Sequence, residues 1–419
     1  MPNYLDLFAG AGGLSEGFIQ AGYTPVAHVE MDEAACYTLK TRTAFHWLTG
    51  NGRSAIYEDY LRRRISRDEL YRNVPDNILN SVLNYEISAE TLPEIFRNID
   101  KALDGKQLDL IVGGPPCQAY SLVGRARSES GMVGDKRNYL YKLYAEFLKR
   151  YHPQYFVFEN VIGLLSAREE DGSFHLENMR KLFKECGYST EFKVLNACDY
   201  GVLQNRKRII LIGKYGVDEK DFYPDIPEVK LNGITVSEIL NDLPAIHAGE
   251  GSYSPVKTKS YTGTYLYDMG IKKKDCQEVT FHSARPHIEQ DLEIYKIAVN
   301  AWNTKKDRIS YPDLPENLRT HNNITAFLDR FKVVAADLPY SQTVVAHISR
   351  DGHYYIHPDV EQNRSLTPRE AARLQTFPDD YYFESKKAEP GRTAAFRQIG
   401  NAVPVRLAYS VAVALKEQF

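Results

Sequence analysis

The most constraining feature of the chain is a series of short apolar runs separated by segments of helical period. The runs are NYLDLF (3–8), TPVAHVEM (24–31), LDLIVGG (108–114), QYFVFENV (154–161), 189–196 and RIILIGK (208–214). Several are continuously apolar rather than alternating, as strands buried on both faces require. Between them, Leu140, Leu143, Tyr144, Phe147, Leu148 and Tyr151 recur on one helical face, and so do Leu176, Met179, Leu182, Phe183 and Cys186. Strands alternating with amphipathic helices predict an α/β fold with a parallel sheet and helices on both sides. Thr367-Pro368-Arg369-Glu370 is a capping box with proline at the first helical position, so a helix is expected from there to about Phe377, stopped by Pro378. A last helix is expected over about 404–417, with Leu407, Val411, Ala414 and Leu415 on one face. Residues 45–105 read as an inserted helical segment, with arginines at 62–64 among acids.

At roughly 150 residues per domain, 419 residues suggest two or three domains. An apolar share of 43% and a charged share of 26% are ordinary for a globular chain and exclude disorder, collagen and coiled coil. The net charge of −3 excludes a histone-like polycation but leaves room for a local basic groove. Cysteines at 36, 117, 186, 198 and 276 are odd in number and lack metal or redox spacing. A disulfide framework and a structural zinc site therefore fit poorly, and a reducing cytoplasm fits well. The start, MPNYLDLFAG, has no basic region followed by an apolar one, so no signal peptide is expected. No apolar run is long enough to span a membrane. From about 215 to 364 the chain becomes loop-rich and tyrosine-rich, with Lys272–Lys274, His282, Arg285 and His287, and this stretch reads as a second domain.

Five motifs carry chemistry. In LDLFAGAGGLSEGF (5–18) a strand ends at Phe8, Gly10, Gly12 and Gly13 make a tight turn, and a helix follows. Such glycines let the backbone approach a nucleotide-type cofactor, and an acid at the end of the next strand reaches its ribose. That acid is Glu30, twenty residues after Gly10. Ser15 stands where a GxGxxG pattern has its third glycine, and nothing resembles the GK[ST] of a phosphate loop, so ATP hydrolysis is disfavoured. GGPPCQAYS (113–121) puts Cys117 at the carboxyl end of a strand, where such sheets bind ligands. Two prolines stiffen the backbone before the thiol. The polar segment 119–138 has glycine hinges and the cations Arg125, Arg127, Lys136 and Arg137, as a closing lid over phosphates requires. FENV (158–161) ends a buried strand on Glu159, a candidate acid. QNRKRIILIG (204–213) sets Arg206 and Arg208 on one side at period two, suited to an anionic or carbonyl-bearing substrate. In QIGNAVPV (398–405), Gly400 and Asn401 are expected to turn before a helix opened by Pro404.

In this order FAGAGG, GGPPCQ, ENV, QNRKRI, LTPREAARLQTFPDDY and QIGNAVP resemble the bacterial DNA cytosine-5 methyltransferases over residues 3–41, 84–214 and 364–415. The resemblance implies a Rossmann-like domain with a mixed, mostly parallel sheet, using S-adenosyl-L-methionine and comprising 1–214 plus 365–419. It implies a smaller target-recognition domain over 215–364. Cys117 would be the nucleophile, Glu159 the partner of the cytosine ring, and Arg206 and Arg208 supports for base and phosphate. Phe8, Ala9, Gly10, Ala11, Gly12, Gly13, Glu30, Met31, Pro116, Leu140, Asn401 and Val403 would line the methyl-donor site. The family's third-strand aspartate is replaced here by Glu86-Ile87, and Met31 stands where the family often has an aromatic. Gln118, Ser121, Arg125, Arg127 and Arg137 would meet DNA, with Lys272–Lys274 along the same groove.

The residue types suit that chemistry. Carbon 5 of cytosine is too electron-poor to accept a methyl group directly. A thiolate adding at carbon 6 makes carbon 5 nucleophilic, which is covalent catalysis. A thiol ionises near pH 8.5 unless a neighbouring charge lowers that value, and Arg206 or Arg208 is expected to do so. Glu159, carrying a proton, would donate to ring nitrogen 3. The base must leave the stack to be reached. No metal is needed. The expected assembly is a monomer on double-stranded DNA, with a cognate restriction endonuclease or defence proteins as further partners. A tRNA cytosine methyltransferase is the runner-up, disfavoured by the 150 residues of 215–364. An NAD-dependent oxidoreductase leaves GGPPCQ and ENV unexplained, and an inactive DNA-binding protein would not retain all four reactive residues.

Overall fold

The computed structural model describes residues 1–116, 139–169, 171–216, 218–320 and 322–419. The expected runs become strands β1 (Asn3–Leu7), β2 (Thr24–Glu30), β4 (Leu110–Gly113), β5 (Tyr155–Val161), β6 (Tyr188–Asn196) and β7 (Lys207–Tyr215). A seventh, β3 (Val82–Asn84), lies inside the segment read as helical; three residues are too few to show a period. They form one sheet in the order β3-β2-β1-β4-β5-β7-β6. The first five are parallel, but β7 runs antiparallel to both β5 and β6. The sheet is therefore mixed. The link from β6 to β7 is too short for the helical crossover a parallel pair needs.

The helices are α1 (Gly13–Gln20), α2 (Glu33–Gly50), α3 (Ser54–Leu61), α4 (Arg67–Arg72), α5 (Asp76–Leu79), α6 (Leu92–Leu103), α7 (Leu140–Tyr151) and α8 (His175–Glu185). Further along come α9 (Glu289–Lys305), α10 (Pro368–Leu374), α11 (Arg392–Asn401) and α12 (Val405–Lys416), apart from single-turn pieces. Leu5 and Leu7 of β1 face a core with Ile95 of α6, Phe147 of α7 and Phe183 of α8. Tyr4 faces the opposite core with Phe18 of α1 and Leu407 and Val411 of α12. The period-two alternation of one buried strand thus joins both helical layers. No described helix is long and apolar enough to cross a membrane.

The inserted helices dock rather than project. Tyr57, Tyr60 and Leu70 share a core with Leu374, Phe377 and Tyr382, and Val236, Ile239, Tyr265, Phe281 and Val344 join the same core. The boundary expected at 214/215 therefore does not coincide with a break between cores. A separate core gathers Ile294, Tyr295 and Trp302 of α9 with Tyr311, Phe331 and Ile356. The arginines at 62–64 pair outward, Arg62 with Glu58 and Glu278, Arg63 with Glu389, and Arg64 with Asp59.

Two expectations near the end are corrected. The capping box is present, since Glu370 N–H donates to Thr367 Oγ1 and Thr367 N–H to Glu370 Oε2, but the helix stops at Leu374. Thr376 then adopts a left-handed φ of 56°. Gly400 and Asn401 close helix α11 instead of forming a turn, and the turn is Ala402–Pro404. The segment RTAAFRQI has good helix formers and buries Ala395, Phe396 and Ile399.

Candidate active site

One end of the site is made of main chain. After β1 the backbone is left-handed at Phe8 (φ 57°), Gly10 (φ 55°) and Gly12 (φ 80°). A non-glycine residue in that region costs about 1–2 kcal/mol, so packing of Phe8 against the sheet core must hold it there. Ala9 N–H donates to Val29 O (3.2 Å) and Gly12 N–H to Ala9 O (2.9 Å), which closes the turn. Glu30, the last residue of β2, accepts from the N–H groups of Gly10 and Asp32, each at 2.8 Å. Burial pushes the Glu30 carboxyl upward and these N–H donors pull it back. A Cβ placed on Gly10 would meet nothing within 4 Å, so open space lies over the turn. On the other side a Cβ on Gly13 would lie 2.4 Å from the Val403 carbonyl, so the Ala402–Pro404 turn presses against the start of α1.

Of the other expected donor-site residues, Met31, Glu86-Ile87 and Pro116 follow the carboxyl ends of β2, β3 and β4, whereas Leu140 and Asn401 belong to helices α7 and α11. Met31 follows β2 with its side chain 58% exposed, and Asn84 donates to the carbonyls of Glu30 and Met31. Glu86 is exposed two residues beyond β3, and its neighbour Ile87 is buried. Leu140, half-buried, opens α7; Pro116 is half-buried and Asn401 exposed.

The other end is made of side chains on strands. β4 ends at Gly113, where a Cβ would come within 2.3 Å of Leu7 O. A Cβ on Gly114 would lie 2.6 Å from Glu159 Oε2. The two glycines of GGPPC thus let this segment run between β1 and β5. Glu159 Oε1 and Arg208 Nε are 2.6 Å apart, with side chains only 14% and 12% exposed. Antiparallel pairing of β5 with β7 sets Glu159 against Ile210 and Val161 against Arg208, which brings both residues to one end of the sheet. Asn160, 1% exposed, donates from Nδ2 to Pro115 O at 3.3 Å and accepts from Val161 N–H at 2.9 Å. Cys117, Gln118, Ser121, Arg125, Arg127, Lys136 and Arg137 lie outside the described residues.

The QNRKR segment divides in two. Arg206 does not stand beside Arg208: it is 1% exposed, and its Nη atoms donate to the carbonyls of Val344 (2.5 Å), Gly400 (3.2 Å) and Ala402 (2.8 Å). Those donors hold main chain and are not presented to a base or phosphate. Gln204 joins it, donating to Leu374 O and Gln375 Oε1 and accepting from Val344 N–H. Gln375 in turn donates to Ile399 O at 2.7 Å. This buried set fastens α10, α11 and the Ala402–Pro404 turn together. The lysine run is also corrected: Lys272 is buried and paired with Asp242 (2.8 Å), which Arg373 also binds, and Lys273 pairs with Asp380. Lys274 remains exposed. Sequence reasoning missed Asn160, Gln204, Gln375 and Tyr381. For Asn160 the available signal was a polar residue near the end of the apolar run YFVFENV, whereas Gln204 and Gln375 stand in motifs rich in other polar residues and gave none.

The sequence model of the C-5 cytosine-specific DNA methylases matches residues 3–58 and 84–417. The gap falls within the inserted segment. The type II methyltransferase M.Bpa9945I of Bacillus paralicheniformis is 39% identical, with 99% of this chain and 98% of that protein covered. The type II methyltransferase M1.HphI of Haemophilus parahaemolyticus is 30% identical, with 98% and 86% covered. A crystal structure of a putative DNA modification methyltransferase encoded within an E. coli prophage has the same fold, with a TM-score of 0.61, 22% identity, and 100% and 99% coverage. With the Glu159–Arg208 pair, the glycine turn and Glu30 all at one end of the sheet's strands, the chain belongs to the C-5 cytosine-specific DNA methylases and is a DNA cytosine-5 methyltransferase.

Proposed function

We propose that the protein methylates carbon 5 of cytosine within a specific double-stranded DNA sequence, using S-adenosyl-L-methionine and a transient Cys117 adduct on a flipped base. The observation that carries this reading is the Glu159–Arg208 pair set against Gly114, which follows β4, the strand next to β1 and its glycine turn. Phe8, Ala9, Gly10, Ala11, Gly12, Gly13, Met31, Glu86, Ile87, Pro116, Leu140, Asn401 and Val403 would surround the donor. The open space over Gly10 and the inward carboxylate of Glu30 fit a nucleoside whose ribose hydroxyls Glu30 accepts. When bound, that donor supplies a methyl group on a positively charged sulfur.

The chain's own residues do the rest. The Cys117 thiolate forms a bond to carbon 6, and the electron pair of the ring double bond moves toward carbon 5. Arg208 occupies Glu159 Oε1, which leaves Oε2, the oxygen nearest Gly114, to share a proton with ring nitrogen 3. Asn160 fixes the Pro115 carbonyl, two residues before Cys117 in the chain. After methylation the carbon-5 proton leaves to water and the carbon–sulfur bond breaks, which restores the thiolate and the aromatic ring. Flipping the base costs a few kcal/mol. Gln118, Ser121, Arg125, Arg127 and Arg137 would offset this through DNA contacts, together with side chains of 215–364, the proposed recognition domain.

The protein would act as a monomer on cytoplasmic, nucleoid DNA, within a restriction-modification or phage-defence system that includes a cognate endonuclease. DNA carrying 5-fluorocytosine tests the chemistry, because its carbon-5 substituent cannot leave. The unaltered protein should form a covalent complex that survives denaturation. Cys117→Ser should form none yet still bind S-adenosyl-L-methionine. A covalent complex with the serine variant contradicts the reading.

A further inference from the structure

Tyr381 reaches the glycine turn from the far end of the chain. Its side chain is 1% exposed, and its hydroxyl donates to the Ala11 carbonyl at 2.5 Å. That carbonyl lies between Gly10 and Gly12, the two left-handed glycines. A Cβ on Gly12 would come within 2.9 Å of the same hydroxyl, so the phenol and the turn are in direct contact. The ring is itself fixed, with Phe377 and Phe383 at centroid distances of 4.8 and 5.3 Å and the Arg42 guanidinium 4.8 Å above it. Arg42 binds Glu16 of α1 through Nη2 (2.6 Å) and Asp380 through Nη1 (2.8 Å). Consecutive residues, Asp380 and Tyr381, therefore hold the helix and the turn that precedes it. Burial drives the phenol well above its ordinary range, so the hydroxyl keeps its proton and donates throughout the working pH range.

We propose that Tyr381 is a positioning residue for methyl-donor binding, its hydroxyl holding the Ala11 peptide so that the Gly10–Gly13 turn stays in the binding-competent conformation. It acts through Ala11 and touches neither base nor nucleophile. Glycines on both sides leave that peptide free to rotate once its carbonyl is released. A donor that must first reorder the turn binds more weakly in proportion to the competent fraction. The inference rests on the reading that the turn holds S-adenosyl-L-methionine.

Calorimetric titration of S-adenosyl-L-methionine into the full chain tests it, alongside steady-state kinetics. Tyr381→Phe keeps the ring packing and removes one hydrogen bond. The donor Kd and KM should rise roughly tenfold, while kcat at saturating donor and the Kd for DNA stay within about twofold. 3-Fluorotyrosine at position 381 retains a hydroxyl and should restore the donor Kd. Tyr382→Phe, a neighbouring buried tyrosine that does not reach the turn, should leave it unchanged. A Tyr381→Phe protein with a lower Tm but an unaltered donor Kd overturns the proposal, as does an equal loss in Tyr382→Phe. Failure of the unaltered protein to bind the donor overturns the underlying cofactor reading and the proposal with it.

Discussion

The two ends of the site are built in opposite ways. At the proposed donor end the surface is backbone, shaped by Gly10, Gly12 and Gly13 and held by side chains from elsewhere: Glu30 from β2, Tyr381 from beyond α10, and Arg206 acting on the neighbouring turn. At the proposed cytosine end the surface is side chains of the strands themselves, Glu159 on β5 and Arg208 on β7. A turn has no rigidity of its own, so it needs many borrowed contacts. A strand inside a seven-stranded sheet is already rigid and needs few. Substitutions should therefore show different kinetics at the two ends: donor affinity at the first, turnover at the second.

The largest separation should come from Glu159→Gln, which replaces the carboxyl group by an amide and keeps the shape. A fall in kcat of about a thousandfold is expected, with donor Kd unchanged by calorimetry. A parallel loss of donor affinity would break the comparison.

Arg206→Met probes the opposite end. It strips donors from three buried carbonyls, and urea unfolding should show about 3 kcal/mol less stability. In the folded fraction the donor KM should rise more than kcat falls. A turnover defect matching that of Glu159→Gln would return Arg206 to the cytosine end.

His357 offers a pH test outside both ends. It is buried among Arg364, Glu370, Asp359 and His282, and burial, reinforced by the Arg364 charge, lowers its pKa to about 4. Its Nδ1 accepts the Asp359 N–H at 3.2 Å, as a neutral ring can. An unfolded histidine takes up its proton near pH 6.5, and the native one does so only near pH 4. The native state thus binds fewer protons, and stability falls as pH drops through that window, by up to about 3 kcal/mol. Above pH 7 this residue contributes no slope. Unfolding curves at pH 7.5 and 5.0 should differ, and His357→Gln should reduce the difference.

The smallest effect is expected for Thr367→Ala, which removes the cap of α10. A loss of about 1 kcal/mol should appear in urea unfolding, with a slight rise in donor KM because Gln375 directly follows that helix.

The sheet was largely readable in the chain because its strands are continuous apolar runs such as LIVG and YFVF. The family was readable because GGPPC and FENV follow apolar runs in the order that the cytosine-5 methyltransferases have them. What escaped the sequence is contact at long range. The run KKK looks like a basic patch, yet Lys272 lies buried against Asp242, thirty residues away. The spacing of Arg206 and Arg208 suggests one face, but β7 begins at Lys207, so the strand alternation that would align them does not reach Arg206. Tyr381 looks like one tyrosine among 29, and only folding brings it to Ala11, 370 residues earlier. Helix α11 was hidden by Gly400 and Asn401, turn-forming residues that here close a helix packed by Phe396 and Ile399.

Bisulfite sequencing of DNA from cells expressing the protein tests the central claim most directly. The unaltered chain should protect cytosines within one recurring sequence, and an equally abundant, folded Glu159→Gln protein should leave almost all of them convertible. Full conversion with the unaltered protein, or undiminished protection by the variant, would contradict the account.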